Sequence, residues 1–400
     1  MRASQRRWRH YRDALEGQPL PAGLVDLDAF EANVDAVVLL ARGKSIRIAT
    51  KSIRSPDLIE RVLARGGSAF RGLMTYSAAE TAFWAERGQR DLLLAYPTLQ
   101  RSDLDHLVHA QRLGATAAVV VDCEAHVSAL AAVAREADVV LPAVIEVDVS
   151  YRPAGSVHVG VRRSPLRSTV EIVALAERIA SDAALSFHGV MAYEAQIAGL
   201  GDQGIGWRGA PIRLLKRRSA RDVATTRAEI ARALGARDLL PPLFNGGGSG
   251  SLRSSVREDA LSEVTVGSAF LASHLFDHYA EVRFAPAAFF ALQVVRRPGP
   301  GLLTCQGGGF IASGAAGSDR LPRPALPDGL ELLPLEGAGE VQTPLRVPDD
   351  VTLGLGDPVF FRHAKAGELA EHLTAYHLVR GARVEARAAT YRGMGLCWLG

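Results

Sequence analysis

The chain is poor in the features that mark membrane, secreted or nucleic-acid-binding proteins. Its 400 residues hold only 3 cysteines, Cys123, Cys305 and Cys397. They show no C-x-x-C spacing, which points to reduced thiols in a cytoplasm. No hydrophobic run approaches the roughly eighteen residues of a membrane span. The arginine-rich start lacks the apolar stretch of a signal peptide. A soluble, intracellular protein without membrane contact is expected. The formal charge of +3 is small for this length, and the pI of about 8.8 comes with both signs well mixed. The one basic tip, Arg6-Arg7-Trp8-Arg9-His10, reads as a solvated helix with Trp8, Tyr11 and Leu15 on one side, so no nucleic-acid partner is expected. Neither an internal repeat nor a long low-complexity segment is present.

What is present is a large apolar content, 48%, in a chain long enough for two or three domains. From about residue 24 to 276, short β-branched runs alternate with alanine-rich amphipathic stretches. Strands are predicted at 46–50, 92–95, 117–121, 144–147, 187–191 and 243–245, with helical patterns between them, as at 55–65 and 170–179. This alternation argues for βα units and a parallel sheet. An eight-fold α/β barrel of the TIM type suits the length better than an open doubly wound sheet. Beyond about residue 281, prolines and glycines punctuate short strands and predict a β-rich C-terminal domain. The expected division is a helical segment over 1–19, a barrel over 20–280 and a β domain over 281–400.

Two constellations carry chemistry. Lys51 closes the β-branched run Arg47-Ile48-Ala49-Thr50-Lys51-Ser52, where a lysine is a candidate for Schiff-base formation; alone, it would be a solvated surface charge. Far downstream, Leu243-Phe244-Asn245-Gly246-Gly247-Gly248-Ser249-Gly250-Ser251 runs from an apolar strand into glycines and small hydroxyls. Such a loop lets backbone N–H groups approach an anion. It is neither a P-loop, since no Gly-Lys-Ser/Thr follows, nor the dinucleotide pattern, because Ser251 completes Gly246-x-Gly248-x-x. A lysine together with a phosphate cradle implies pyridoxal phosphate. Lys51, Tyr193 and the glycine loop each follow a predicted strand, which is the catalytic face of a barrel.

Asp26-Leu27-Asp28, Arg47 to Lys51, Gly189-Val190-Met191-Ala192-Tyr193, Gly246 to Gly250, Val266-Gly267-Ser268 and Gly356-Asp357-Pro358 leading to His363 follow one another in a known order. The chain resembles the D-threonine aldolases and D-serine dehydratases, which are alanine-racemase-like, fold-type-III pyridoxal phosphate enzymes. It is most similar to a bacterial amino acid deaminase/aldolase group, through Arg362-His363-Ala364-Lys365-Ala366-Gly367-Glu368 and Thr390-Tyr391-Arg392-Gly393. The resemblance implies that Lys51 takes the cofactor aldehyde, that Gly247, Gly248 and Ser249 hold its phosphate, and that Tyr193 lines its ring. It implies a lyase acting on small D-β-hydroxy amino acids, by retro-aldol cleavage or dehydrative deamination. A homodimer follows by the same resemblance.

The chain departs from the family pattern twice. His363 stands where the family has the first histidine of a metal pair, but the second position is Lys365, whose ammonium cannot ligate a metal. A family-type divalent site is therefore doubtful, Glu368 and His372 being alternative recruits, and His363 with Lys365 is expected to supply acid, base and positive charge instead. Where relatives carry an arginine near the cofactor, this chain has His158-Val159-Gly160-Val161. Either His158 replaces that arginine, or Arg152 or Arg162 reaches in. An amino-acid racemase, with Tyr279 or Tyr391 as second base, and a non-catalytic pyridoxal phosphate carrier are the competing readings.

Overall fold

The computed structural model describes residues 3–154, 156–203 and 209–399. An N-terminal helix (Ala3–Ala14) leads to strand β1 (Ala22–Asp26) and a second helix (Leu27–Ala41). Asp26 caps that helix, its Oδ1 accepting the Ala29 N–H at 3.0 Å. Eight parallel strands then close into a barrel. They are β2 (Ser45–Ala49), β3 (Phe70–Thr75), β4 (Asp91–Leu94), β5 (Thr116–Val121), β6 (Leu141–Glu146), β7 (Leu185–Met191), β8 (Leu243–Gly246) and β9 (Glu263–Val266). Six coincide with strands predicted from the sequence. The other two, β3 and β9, hide for physical reasons: Gly72 interrupts β3 at a φ of +134°, and β9 is four residues long and opens on a buried glutamate.

The barrel interior near β2 is charged, and each charge there is paired. Arg47 is 2% exposed and binds Glu263 of β9 through two nitrogens, at 2.5 and 3.0 Å, and Asp91 at 2.7 Å. Asn245 of β8 adds a 2.6 Å bond to Glu263 and a 2.8 Å bond to Thr265. A buried cation tolerates such a site only with partners of this quality.

The second unit is a nine-stranded sheet of β1 with β10 (Ala288–Gly299), β11 (Leu302–Gln306), β12 (Arg323–Leu326), β13 (Glu331–Leu332), β14 (Gln342–Arg346), β15 (Pro358–Arg362), β16 (Ala375–Arg380) and β17 (Arg383–Ala389). Strand β1 lies between β10, to which it is antiparallel, and β16, to which it is parallel. The unit expected over 20–280 thus lends its first strand to the β domain. The N-terminal helix follows it there. Trp8 Nε1 donates to the Pro358 carbonyl at 2.9 Å, and the Tyr11 ring meets Phe289 and Phe360, each at 5.5 Å between centroids. Sequence alone leaves the packing of residues 1–19 open; the aromatic stripe of the helix settles it by burying against β10 and β15.

Candidate active site

Six βα connections build one cleft at the C-terminal mouth of the barrel. It is lined by Lys51, Tyr96, Arg163, Tyr193, the Gly247–Ser249 loop and Ser268, among others. Lys51 lies in the single 3₁₀ turn Thr50–Ser52 that ends β2. The chain has only four lysines. Lys44 donates to the Leu261 carbonyl, Lys216 pairs with Asp202, and Lys365 is held by Ser313. Lys51 alone reaches this cleft, its Nζ donating to Tyr96 Oη at 2.8 Å. Tyr96, which follows β4, was not singled out by sequence, and an isolated tyrosine after a strand offers no pattern to find it by.

The glycine loop is shaped from beneath. Gly247 adopts a φ of +80°, and a Cβ on Gly248 would stand 3.0 Å from the Tyr193 ring and from Ala198. Neither position tolerates a side chain without displacement. Below the loop, Glu194 is 1% exposed and collects four donors. They are the Gly247 N–H at 3.1 Å, the Ser251 and Ser255 hydroxyls at 2.6 Å each, and the Arg227 guanidinium. Burial works to raise the Glu194 carboxyl, but Arg227 and the two serines outweigh it and hold it ionised. Arg227, also fully buried, takes Glu258 with its other nitrogen at 2.8 Å.

This network decides which loop amides already have acceptors. The Gly247 and Gly248 N–H groups turn inward, to Glu194 and to Ser251 Oγ. The N–H groups of Ser249 and Gly250 have no acceptor among the described residues. Hydroxyls of Ser249, Ser268 and Ser52 complete the rim, the last two 3.3 Å apart. A loop of N–H and hydroxyl donors sharing a cleft with a lysine fits a phosphate-bearing aldehyde, with Ser249, whose N–H has no acceptor among the described residues, on the cleft wall beside Gly247 and Gly248.

The remaining expectations resolve by position. Tyr193 lines the cleft, and burial pushes its hydroxyl up to about 12. His158 does not line it; its ring reaches Ser150 at 3.4 Å and the Val161 carbonyl at 3.3 Å. Arg152 is turned away to Asp148 at 2.6 Å. The arginine that enters is Arg163, whose guanidinium stands 5.5 Å from the Tyr193 ring centroid. Nearby, at the end of β6, Glu146 is 6% exposed, and burial pushes its carboxyl up to about 7, against the opposing pull of Arg163.

His363 and Lys365 follow β15, and their loop abuts the lysine turn: a Cβ on Gly367 would stand 1.9 Å from the Lys51 carbonyl oxygen. Their polar atoms do not line the cleft. Lys365 Nζ donates to the Ser313 carbonyl at 3.0 Å and its hydroxyl at 3.1 Å, with Glu368 at 3.6 Å. His363 is 3% exposed with neither ring nitrogen well hydrogen-bonded, and burial beside Arg362 and His274 pushes it down to about 3. Glu368 accepts from Ser313, and the His372 ring stacks on Phe310 at 4.6 Å. Tyr279 and Tyr391 are likewise committed, to the Ala198 carbonyl and to Glu80, each at 2.7 Å.

A closed parallel barrel with a lone cleft lysine and a glycine-serine loop at its mouth, joined to a β domain, defines the class of fold to which this chain belongs. Residues 25–272 match the family described as alanine racemase, N-terminal domain, and the chain belongs to that family. A 3-hydroxy-D-aspartate aldolase of Paracoccus denitrificans is 26% identical over 250 residues, which cover 62% of this chain and 59% of that protein. The chain thus matches about three fifths of that relative's length. Among solved structures, a D-threonine aldolase from Filomicrobium marinum superposes with a TM-score of 0.80 at 20% identity, covering 94% of this chain and 95% of the other. The D-threo-3-hydroxyaspartate dehydratase of Delftia sp. HT23 gives 0.73 at 19%, covering 94% and 99%. At these identities the structural likeness establishes the fold.

Proposed function

We propose that the chain is a pyridoxal phosphate-dependent lyase acting on small D-3-hydroxy amino acids, by retro-aldol cleavage or by dehydrative deamination. One observation carries the reading: the only lysine in the cleft faces a glycine-serine loop whose free N–H groups suit a phosphate. The related aldolase and the two structural neighbours, an aldolase and a dehydratase, agree with the substrate class. When bound, pyridoxal phosphate supplies an electron sink for the bonds at the substrate's α-carbon.

The chain's own residues then do the following. Lys51 Nζ would hold the cofactor aldehyde, with Tyr96 Oη, 2.8 Å away, orienting that nitrogen. The Ser249 N–H and hydroxyl would donate to the phosphate, on a frame set by Glu194 and Arg227. Tyr193 closes the ring side of the cleft, and the Arg163 guanidinium supplies positive charge for the substrate carboxylate. Glu146, with its carboxyl near 7, exchanges a proton close to neutral pH at the same mouth. To serve as the substrate-side cation, with His363 behind it, Lys365 must leave Ser313 and Glu368; lowered turnover in Lys365→Ala would support that role and intact turnover would end it. The racemase reading is weaker because Tyr279 and Tyr391 are both bound to groups of their own chain.

The test is an absorbance spectrum of the purified protein with D- and L-threonine, D- and L-serine and the 3-hydroxyaspartates, with aldehyde, glycine and keto acid assayed together. A cofactor band that shifts with D-3-hydroxy amino acids alone, with product, supports the reading. A band that no amino acid perturbs would favour the carrier alternative, and no band would overturn the cofactor.

A further inference from the structure

We infer that Asp122, Cys123 and His126 form a binding site for one borderline-soft divalent cation, Zn²⁺ or Co²⁺, at the mouth of the barrel and separate from the lysine cleft. Asp122 and Cys123 follow β5, and His126 is the third residue of the helix Glu124–Ala137. The three donor atoms all lie within 4.8 Å of one another. His126 Nδ1 stands 2.9 Å from Asp122 Oδ1 and 3.3 Å from Cys123 Sγ, with the Asp122 N–H at 3.4 Å.

These contacts compete. A neutral imidazole nitrogen carries either one proton or one lone pair. If Nδ1 donates to the Asp122 carboxylate, it cannot accept from the thiol or the amide. If it accepts, it faces a carboxylate oxygen at 2.9 Å with no proton between them. A cation on the lone-pair side satisfies nitrogen, carboxylate and thiolate together. The spacings suit it. With zinc bonds of about 2.0–2.3 Å, two ligands at right angles have N···O about 2.9 Å and N···S about 3.1 Å, rising to about 3.4 and 3.6 Å at the tetrahedral angle. The observed 2.9 and 3.3 Å lie within those ranges.

The donor set selects the metal. Thiolate with imidazole prefers zinc or cobalt over magnesium or calcium, and three protein ligands leave one position open. Cys123 is the N-cap of its helix, yet its side chain makes no capping hydrogen bond, so the sulfur is available. The helix N-terminus repels a cation but also favours the thiolate; two anionic ligands outweigh that repulsion at contact distance. Because Val121 pairs with Ile145, Asp122 and Glu146 follow on adjacent strands, so the ion sits one strand from the cleft's acid.

Chelator-treated full-length protein titrated with Co²⁺ should bind one equivalent and develop a thiolate-to-cobalt absorption band, which Zn²⁺ displaces. Cys123→Ser should abolish the band, His126→Ala should weaken binding roughly a hundredfold, and His363→Ala should leave both unchanged. No band, or a band that survives Cys123→Ser, would overturn the site. Should the variants fail to fold, alkylation of the unmodified chain decides: Zn²⁺ should slow labelling of Cys123 about tenfold relative to the exposed Cys397, and equal labelling would overturn it.

Discussion

The barrel mouth and the β-domain corner beside it bury polar groups in opposite ways. Under the glycine loop, Glu194 and Arg227 lie at 1% and 0% exposure; Glu194 meets a hydrogen-bonding partner at each oxygen, and Arg227 leaves only its Nε unbonded. In the corner, His363 is almost as deeply buried, yet its ring nitrogens go without firm partners. The first region behaves as a rigid frame, since breaking any bond strands a charge in low dielectric. The second keeps its buried group by neutralising it. Satisfied burial makes a binding surface; unsatisfied burial makes a group whose titration is coupled to folding.

The largest effect that would break this contrast is at the lysine. Lys51→Ala should lower turnover by roughly a thousandfold or more and remove the cofactor band, as read by spectrum and product assay. Next, Glu194→Ala should cost about 3–5 kcal/mol by leaving Arg227 short of a partner, seen as a lower urea midpoint, and should loosen cofactor retention. A variant as stable as the parent would show that the frame is not what holds the loop.

The pH dependence of stability sharpens the contrast through its sign. Glu80, buried where the barrel meets Tyr391 of the β domain, has its carboxyl pushed by burial up to about 7 from 4.5. The unfolded chain loses that proton first, so between pH 4.5 and 7 stability should fall as pH rises, at about 1.4 kcal/mol per unit. His363 is pushed down to about 3 from 6.5. There the unfolded chain gains the proton first, so stability should fall as pH drops from 6.5 towards 3, with the same slope of about 1.4 kcal/mol per unit. Denaturant melts of Glu80→Gln and His363→Asn against pH should each delete one slope and leave the other. The smallest effect belongs to Tyr96→Phe, which removes one hydrogen bond to Lys51 and should lower turnover up to about tenfold without moving the melting temperature.

Much of the architecture is legible in local pattern. Six of eight barrel strands follow from β-branched runs, and the helix at Pro56–Gly66 follows from Ser55 before Pro56. Lys51 and the glycine loop stand out because their types are rare at strand ends. The network of Glu194, Arg227, Ser251 and Ser255 has no such signature, since Glu194 and Arg227 are 33 residues apart. Arg163 is the second of two consecutive arginines, and only the cleft's shape separates it from Arg162 and from Arg152.

By itself, the sequence determined the repeating βα units, the lysine and the glycines, because each depends on backbone freedom or side-chain period within a few residues. Tertiary structure alone decided that β1 belongs to the β domain, that the Gly247 and Gly248 N–H groups are taken by Glu194 and Ser251, and that the polar atoms of Lys365 and His363 stand outside the cleft. Those outcomes depend on which distant groups compete for the same hydrogen bonds. Chain order holds no record of that competition until the barrel closes.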